Sequence, residues 1–208
     1  MTEAGRAAAR PASSRPGPVS VSVVPRLPFR RRPGRVLVLG GARSGKSSYA
    51  EGLVGREPVV EYVACGLRPT ADDVEWADRV AVHRARRPGT WTTTETIDLV
   101  AVLGSPGPPV LVDCLTTWLA RVMDECEVWD ERPGSDAALA AAVDALVAAW
   151  SGARRRVIGV SNEVGSGIVP ATPSGRRFRD ELGVLNARIA VASDRVWLVT
   201  AGLPQRLR

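Results

Sequence analysis

The 208-residue sequence contains few of the residues on which several common site chemistries depend. It has one histidine, His83, and three cysteines, whose odd number and spacing fit neither a disulfide framework nor a metal-binding motif. No apolar run is long enough to span a bilayer, and the arginine- and proline-rich start lacks the apolar segment of a secretory signal. These deficits disfavour secreted and membrane proteins and predict a cytoplasmic protein with reduced thiols.

The positive charge of the chain is concentrated near its start. The net charge is +6, yet residues 1–35 hold eight arginines and one acid, whereas the remainder holds 20 basic and 21 acidic residues. The first 34 residues also contain six prolines, a composition typical of disordered segments. We therefore predict a disordered extension at 1–34, with an electrostatic tether as the alternative, and one folded domain at 35–208. The near-neutral domain argues against a nucleic-acid partner.

Residues 40–47 read Gly-Gly-Ala-Arg-Ser-Gly-Lys-Ser and fit the phosphate-binding (P-loop) pattern G-x-x-x-x-G-K-[ST]. Glycines allow successive backbone N–H groups to face phosphate oxygens, and the start of the following helix favours negative charge. Lys46, the only lysine of the chain, would reach the β and γ phosphates, and the Ser47 hydroxyl would ligate Mg²⁺. A glycine turn that binds nothing is the alternative. The candidate nucleotide contacts of this loop are Gly40, Gly41, Ala42, Arg43, Ser44, Gly45, Lys46 and Ser47.

Apolar runs and helical patterns alternate along the chain. Strands are predicted at 35–39, 58–64, 110–113, 156–161 and 195–200, with a short extended piece at 91–93. Helices are predicted at 48–54, 74–86, 115–123, 135–150 and 174–192, and a further helix is predicted to start at Thr94 and to end at residue 103. Candidate caps are Asp72 or Asp73, Thr94, and Ser135 or Asp136.

This alternation predicts an α/β fold of the P-loop NTPase type, with a mostly parallel sheet and helices on both faces. Ligands of such sheets bind at the carboxyl ends of the strands. Gly40, Cys65, Asp113 and Asn162 each follow a predicted strand directly, so we expect them at one edge.

Asp113 ends a buried-type strand, the usual position of the acid that holds Mg²⁺ through water in P-loop enzymes. An acid that caps the next turn is the alternative. Asp72, Asp73 and Glu75 are further candidate ligands, although a charged helix start favours a capping role for them.

His83 is the only candidate for imidazole chemistry, and Arg79 and Arg87 lie on its own helix face at i−4 and i+4. Positive neighbours disfavour imidazolium, which leaves a ring nitrogen free to attack phosphorus. The same guanidinium groups could hold a nucleotide phosphate. A solvated surface histidine is the alternative.

Five blocks of sequence, in order between residues 35 and 203, carry a more specific signal. They are 40–47 with Ala50 and Glu51; 79–95, Arg-Val-x-x-His-x-x-x-Arg-Pro-x-x-Trp-x-Thr-x-Glu; 112–119, Val-Asp-Cys-Leu-Thr-x-Trp-Leu; 161–170, Ser-Asn-Glu-Val-Gly-x-Gly-Ile-Val-Pro; and 178–186, Phe-Arg-Asp-x-x-Gly-x-Leu-Asn. Together they resemble the bifunctional adenosylcobinamide kinase / adenosylcobinamide-phosphate guanylyltransferase family. The sequence departs from the family pattern at Cys65, where Thr or Ser is usual, at Ala187, where Gln is common, and in the N-terminal extension.

The resemblance implies two activities of cobalamin biosynthesis. ATP or GTP would phosphorylate adenosylcobinamide, with Mg²⁺ as cofactor, and GMP would then pass from GTP through a guanylylated His83 to adenosylcobinamide phosphate. It also implies a homo-oligomer, typically a trimer, and further nucleotide contacts at Cys65, Gly66, Leu67, Arg84, Ala85, Arg86, Arg87, Glu95 and Asp113. Two alternatives are a P-loop ATPase that acts on a partner and a nucleotide-binding regulatory module without turnover.

Overall fold

The computed structural model describes residues 34–66, 74–130 and 132–208, which belong to a unit that runs from Arg31 to Arg208. They begin with β1 (Arg35–Gly40), α1 (Lys46–Val54), β2 (Glu61–Ala64), α2 (Val74–Ala85), β3 (Thr92–Glu95), α3 (Leu99–Gly104) and β4 (Val110–Asp113). They continue with α4 (Leu115–Glu125), a 3-10 turn (Val128–Asp130), α5 (Ser135–Gly152), β5 (Val157–Asn162), α6 (Pro173–Ala192), β6 (Arg195–Thr200) and β7 (Leu203–Arg206). Apart from Gly34, the predicted extension at 1–34 lies outside the described residues, so it and the domain boundary stay predictions.

The described strands form one sheet in the order β3-β2-β4-β5-β1-β6-β7. Every neighbouring pair is parallel except β6 and β7, which are antiparallel. Gly40 is opposite Asn162, and Ala64 is opposite Asp113, so the carboxyl ends of β1, β2, β4 and β5 meet at one edge. The predicted mostly parallel α/β fold is confirmed, and the residues that follow these strands lie together as expected.

Alternate residues of β1 pack on opposite faces of the sheet. Val36 and Val38 share a buried cluster with residues of α1, whereas Leu37 and Leu39 share one with residues of α3, α4, α5 and α6. Because both faces are covered, the strand is an unbroken apolar run rather than an alternating one. This burial fixes the position from which the glycine-rich loop leaves the sheet.

Two strands differ from the sequence prediction by more than one residue at an end. β2 begins at Glu61 rather than at residue 58, because its partner β4 pairs from Val110 onward and Pro108 and Pro109 before it have no N–H to donate. The extended piece predicted at 91–93 is β3, which adds to the sheet through β2 and runs to Glu95.

The helix caps predicted at two places are wrong. Thr94 does not begin a helix but pairs with Val63 inside β3, and α3 starts later, where Asp98 accepts a hydrogen bond from the Ala101 N–H at 2.9 Å. α5 follows Gly134 in a left-handed conformation (φ 90°), so Ser135 and Asp136 are its first residues and not its caps. The cap predicted at Asp72 or Asp73 lies outside the described residues.

α6 begins one residue earlier than predicted, and a further strand, β7, follows the last predicted strand. α6 starts at Pro173, after Thr172, whose hydroxyl accepts the Gly175 N–H at 3.1 Å. After β6 the chain turns through Ala201 and Gly202, both with positive φ, and returns as β7. Such a two-residue turn matches the twist of a hairpin, and its glycine is the signal that the sequence prediction missed. Within the part of the chain that the structure describes, no helix is long and apolar enough to cross a membrane.

Candidate nucleotide-binding site

The glycine-rich loop joins the end of β1 at Gly40 to the start of α1 at Lys46. A Cβ at residue 40 would lie 2.4 Å from the Ser44 Oγ and 2.6 Å from the Val199 carbonyl oxygen, so only glycine fits there. Gly45 has φ 90° at the helix start, a conformation that disfavours any side chain. The Lys46 Nζ donates to the Gly41 carbonyl at 3.1 Å. The loop therefore presents the start of α1 and one ammonium group to the carboxyl edge of the sheet.

A cleft of about 940 Å³ opens beside this loop. Its lining includes the loop residues Ala42, Arg43, Ser44, Gly45, Lys46 and Ser47. It also includes Gly66, Arg84, Arg86, Arg87, Glu95 and Asp113. Among its described lining residues, five side chains are cationic and three are carboxylates, so the charges favour an anionic ligand.

Asp113 is held by Tyr62 on the neighbouring strand. The Tyr62 hydroxyl donates to the Asp113 Oδ2 at 2.8 Å, and the tyrosine is only 2 % exposed. Burial raises the pKa of Tyr62 far above its ordinary value, and the Asp113 carboxylate raises it further, so the phenol keeps its proton and stays a donor. The Arg87 guanidinium lies over the tyrosine ring, 3.4 Å from its centroid, and donates to the Thr93 Oγ1 at 3.2 Å. Tyr62 thus joins the segment after α2 to the carboxylate at the end of β4.

A second set of contacts joins the end of α2 to α1. Arg86 donates to Glu51 Oε1 at 3.3 Å and to Ser48 Oγ at 3.4 Å. Burial raises the pKa of Glu51, an effect that Arg86 opposes and that the nearby Asp113 carboxylate reinforces. These contacts bring the arginine-rich end of α2 against the helix that begins at the phosphate-binding loop.

The residues after α2 form a smaller, open cavity of about 560 Å³ on the same side. Arg84 donates to Glu95 Oε1 at 2.6 Å, and Trp91 lines the cavity beside them. Paired charged groups with an aromatic ring in the same cavity can hold a purine base by hydrogen bonding and stacking.

Most of the predicted site residues line the larger cleft, but among the described ones Gly40, Gly41, Cys65 and Ala85 do not. Cys65 is fully buried in the core, and burial raises the pKa of its thiol, so only its backbone is available to a ligand. Ala85 is exposed at the end of α2, outside the lining. Leu67 lies outside the described residues. His83 belongs to α2, between the lining residues Val82 and Arg84, but its side chain is not among those described.

The donor atoms in the cleft fit a magnesium–nucleotide complex. Ser47 and Asp113 both line it, and a hydroxyl with one carboxylate suits Mg²⁺, which keeps waters and takes phosphate oxygens as further ligands. Among the described residues, no group of three or more His, Cys, Asp and Glu side chains could hold a metal by itself. Within the same residues, Ser44 Oγ and Arg87 Nε are buried polar atoms without a hydrogen-bond partner. Both belong to lining residues, whereas the other three such atoms, in Arg155, Asn186 and Trp197, belong to residues outside the lining.

Tyr62 and Glu51, whose side chains support the cleft, are not identified by the sequence reasoning. Tyr62 was assigned only to a buried strand, although a buried tyrosine needs a partner for its hydroxyl. Glu51 was noted only as part of a family motif. Their partners lie 51 and 35 residues away along the chain, so only the folded sheet brings them together.

The sheet order, the glycine-rich loop and the acid at the end of β4 define a P-loop nucleotide-binding protein. Residues 36–207 match the model of the cobinamide kinase / cobinamide phosphate guanyltransferase family. The chain belongs to this family. The family predicted from the sequence is therefore confirmed, and with it the enzyme class.

Proteins from three bacteria illustrate the relationship. The chain is 37 % identical to the bifunctional adenosylcobalamin biosynthesis protein CobU of Salmonella typhimurium over 183 residues, which cover 83 % of this chain and 99 % of that protein. It is 36 % identical to CobU of Escherichia coli, with the same coverage, and 41 % identical over 179 residues to the bifunctional protein CobP of Pseudomonas aeruginosa, covering 84 % and 97 %.

Among solved structures, the fold is similar to that of a type III secretion system ATPase of pathogenic bacteria, with a TM-score of 0.53 and 12 % identity. The match covers 80 % of this chain and 51 % of that one, so this chain spans about half of the ATPase. At this identity the likeness concerns the fold alone, and it agrees with the P-loop NTPase architecture.

Proposed function

We propose that this chain catalyses two successive reactions on a corrinoid. A phosphoryl group passes from ATP or GTP to the hydroxyl of adenosylcobinamide, and GMP then passes from GTP to adenosylcobinamide phosphate. The observation that carries the proposal is one cleft that brings together the phosphate-binding loop, Asp113 and the arginines at the end of α2, in a member of this family.

In the first reaction, the corrinoid hydroxyl oxygen attacks the γ-phosphorus, the nucleoside diphosphate leaves, and the hydroxyl proton passes to solvent. Backbone N–H groups at the start of α1 and the Lys46 ammonium stabilise the charge that develops on the phosphate oxygens. Ser47 and Asp113 would hold Mg²⁺, which would supply positive charge against the phosphate oxygens. Tyr62 keeps the Asp113 carboxylate in place through its hydroxyl.

In the second reaction, a ring nitrogen of His83 attacks the α-phosphorus of GTP and pyrophosphate leaves. A phosphate oxygen of adenosylcobinamide phosphate then attacks the same phosphorus, so that the P–N bond breaks and the imidazole is released. Arg84, Arg86 and Arg87 provide cationic groups along the cleft for the triphosphate. The Arg84–Glu95 pair and Trp91 offer the polar and aromatic groups that a guanine requires.

The proposal includes a homo-oligomer, with a trimer as the candidate assembly, and a cytoplasmic location. ATP and GTP are abundant in the cytoplasm, and the three cysteines are free thiols there. The substrates proposed are nucleotides and a corrinoid, and no nucleic acid is included among the partners.

Two labels test the two reactions separately. With γ-labelled ATP and adenosylcobinamide, label should move to the corrinoid. With α-labelled GTP alone, the protein itself should become labelled through an acid-labile, alkali-stable bond, and adenosylcobinamide phosphate should discharge it. His83→Asn should abolish the protein label and retain phosphorylation of the corrinoid, because only the second reaction uses the imidazole.

The outcomes discriminate between the possible functions. A wild-type protein that phosphorylates the corrinoid and never takes up α-label is a kinase alone, and the second half of the proposal fails. Hydrolysis of ATP with no transfer to the corrinoid indicates an ATPase that acts on another partner. Nucleotide binding without any turnover indicates a regulatory module. Label that persists in His83→Asn refutes the assigned nucleophile.

A further inference from the structure

The loop between β5 and α6, residues 163–172, begins and ends at the carboxyl edge of the sheet. β5 ends there at Asn162, and α6 starts at Pro173 and runs back toward the amino edge, where β6 begins. Since β5 lies between β4 and β1, the loop leaves the sheet between Asp113 and Gly40. The Glu163 N–H donates to the Gly40 carbonyl at 3.1 Å, and Asn162 lines the cleft. The loop therefore stands beside the place where phosphoryl transfer is proposed.

Three side chains hold this loop in one conformation. The Glu163 Oε1 accepts the N–H groups of Gly165 at 2.6 Å and of Ser166 at 3.2 Å. Arg179 of α6 donates to the Gly165 carbonyl oxygen. Arg176 donates to the backbone carbonyls of residues 170 and 171, at 3.0 and 2.8 Å. These contacts hold the loop on both sides of its tip, at residues 165–166 and 170–171.

The tip of this anchored loop is apolar and exposed. Ile168 is 98 % exposed and Val169 is 63 % exposed. Residues 164–171 read Val-Gly-Ser-Gly-Ile-Val-Pro-Ala and carry no charge, although 24 % of the chain is charged. Neighbouring aliphatic side chains exposed on a loop that leaves the sheet beside a ligand-binding cleft are typical of a surface that a ligand covers.

We propose that Ile168 and Val169 form the surface on which the corrinoid ring rests while its side-arm hydroxyl reaches into the cleft. The inference rests on the proposed function, and it names the part of the site that binds the acceptor. A corrin ring is broad and edged with methyl groups and uncharged carboxamide arms, so an uncharged apolar rim complements it, whereas the arginines of the cleft complement the nucleotide. Transfer requires the attacking oxygen about 3–3.5 Å from the phosphorus, which places the bulky ring on the rim of the cleft beside the phosphate-binding loop.

The test compares two sets of exposed aliphatic side chains. Ile168→Ser combined with Val169→Ser removes the apolar tip. Val191→Ser removes a valine whose exposure lies between theirs, at the far end of α6 and the opposite edge of the sheet. Binding of adenosylcobinamide is followed by quenching of tryptophan fluorescence, and KM values for the corrinoid and for ATP are measured in the kinase assay. Particle mass by light scattering reports on association between copies of the chain.

We expect the double variant to raise the corrinoid Kd and KM about tenfold, because two aliphatic contacts are lost, and to change the ATP KM less than about twofold. Val191→Ser should leave all three values unchanged. Unaltered corrinoid binding in the double variant overturns the inference and leaves the proposed function intact. A lower particle mass in the double variant also overturns it, since the tip would then contact a second copy of the chain. A wild-type protein that neither binds nor phosphorylates the corrinoid refutes the proposed function itself, and the inference with it.

Discussion

Replacing Tyr62 by phenylalanine removes one hydroxyl group and leaves the rest of the cleft in place. That hydroxyl donates to the Asp113 Oδ2 at 2.8 Å, in a buried position. The aromatic ring remains, so the Arg87 guanidinium can still stack on it. The variant therefore tests whether the carboxylate at the end of β4 depends on its tyrosine partner.

The size of the effect follows from the type of hydrogen bond. A bond to a charged group contributes about 1.5–3 kcal/mol, and a loss of about 1.4 kcal/mol in the transition state slows a reaction tenfold. Asp113 has further interactions in the folded protein, so the lower end of the range applies. We expect kcat for corrinoid phosphorylation to fall about tenfold and the Mg²⁺ concentration for half-maximal rate to rise. The KM for ATP should change little, because the phosphate-binding loop is untouched.

Tyr49→Phe is the matched control, since the chain has only two tyrosines. Tyr49 lies on α1 and packs edge-on against Trp197, with ring centroids 5.4 Å apart. Its variant should keep the wild-type kcat and Mg²⁺ dependence. Because the pKa of Tyr62 is raised far above its ordinary value, the phenol keeps its proton, and the ratio of wild-type to Tyr62→Phe rates should stay constant from about pH 6 to 9. A variant that loses stability while kcat and Mg²⁺ dependence stay at wild-type values would show that this contact serves the fold and not the reaction.

Three further predictions concern the loop lysine, the core and pH. Lys46→Arg keeps the charge but should lower kcat for phosphorylation by about a hundredfold or more, because a planar guanidinium does not fit where a compact ammonium contacts phosphates. The melting temperature should be unchanged, and near-normal turnover would contradict the prediction. Gly159→Ala should lower the free energy of unfolding by about 1–3 kcal/mol, measured by denaturant titration, since its Cβ would lie 2.7 Å from the Trp150 Cη2. The decrease in unfolding free energy should be smaller when the substitution is made in a Trp150→Phe background. Hydrogen bonds from Arg35 lower the pKa of Asp194, so this group stabilises the fold above its unfolded pKa and the contribution is lost as pH falls through the lower folded pKa. Asp194→Asn should therefore lower the free energy of unfolding by at most about 1 kcal/mol at neutral pH, because the Arg35–Asp194 pair is partly exposed. It should have no effect below both the folded and the unfolded pKa of Asp194. An equal effect at neutral and at low pH would contradict this prediction.

The central strands and the phosphate-binding loop could be predicted from the sequence because their signals are local. β1 is an unbroken apolar run, and the glycine-rich loop after it matches a motif of eight consecutive residues. The edge elements could not be predicted in the same way. β3 consists of threonines and one glutamate, and it is a strand only because β2 offers it a pairing edge. The helix start predicted at Thr94 fails for the same reason.

The candidate site was predictable to the extent that it depends on residue type and on strand ends. Lys46, Ser47 and Asp113 were found because a motif or a strand terminus marks them. The contacts of Tyr62 and Glu51 could not be found, because they join elements far apart in sequence. Cys65 illustrates the opposite error, since its position after β2 is correct but its side chain turns into the core.

The contact between the Lys46 ammonium and the Gly41 carbonyl makes the glycine-rich loop directly accessible to spectroscopy. The chain has no other lysine, so protein grown on isotope-labelled lysine carries its label at this one amine. Its resonance can be observed without assignment. A bound triphosphate would compete with the Gly41 carbonyl for the ammonium protons of Lys46. The lysine signal should therefore shift when nucleotide is added, so this single lysine can report on nucleotide binding.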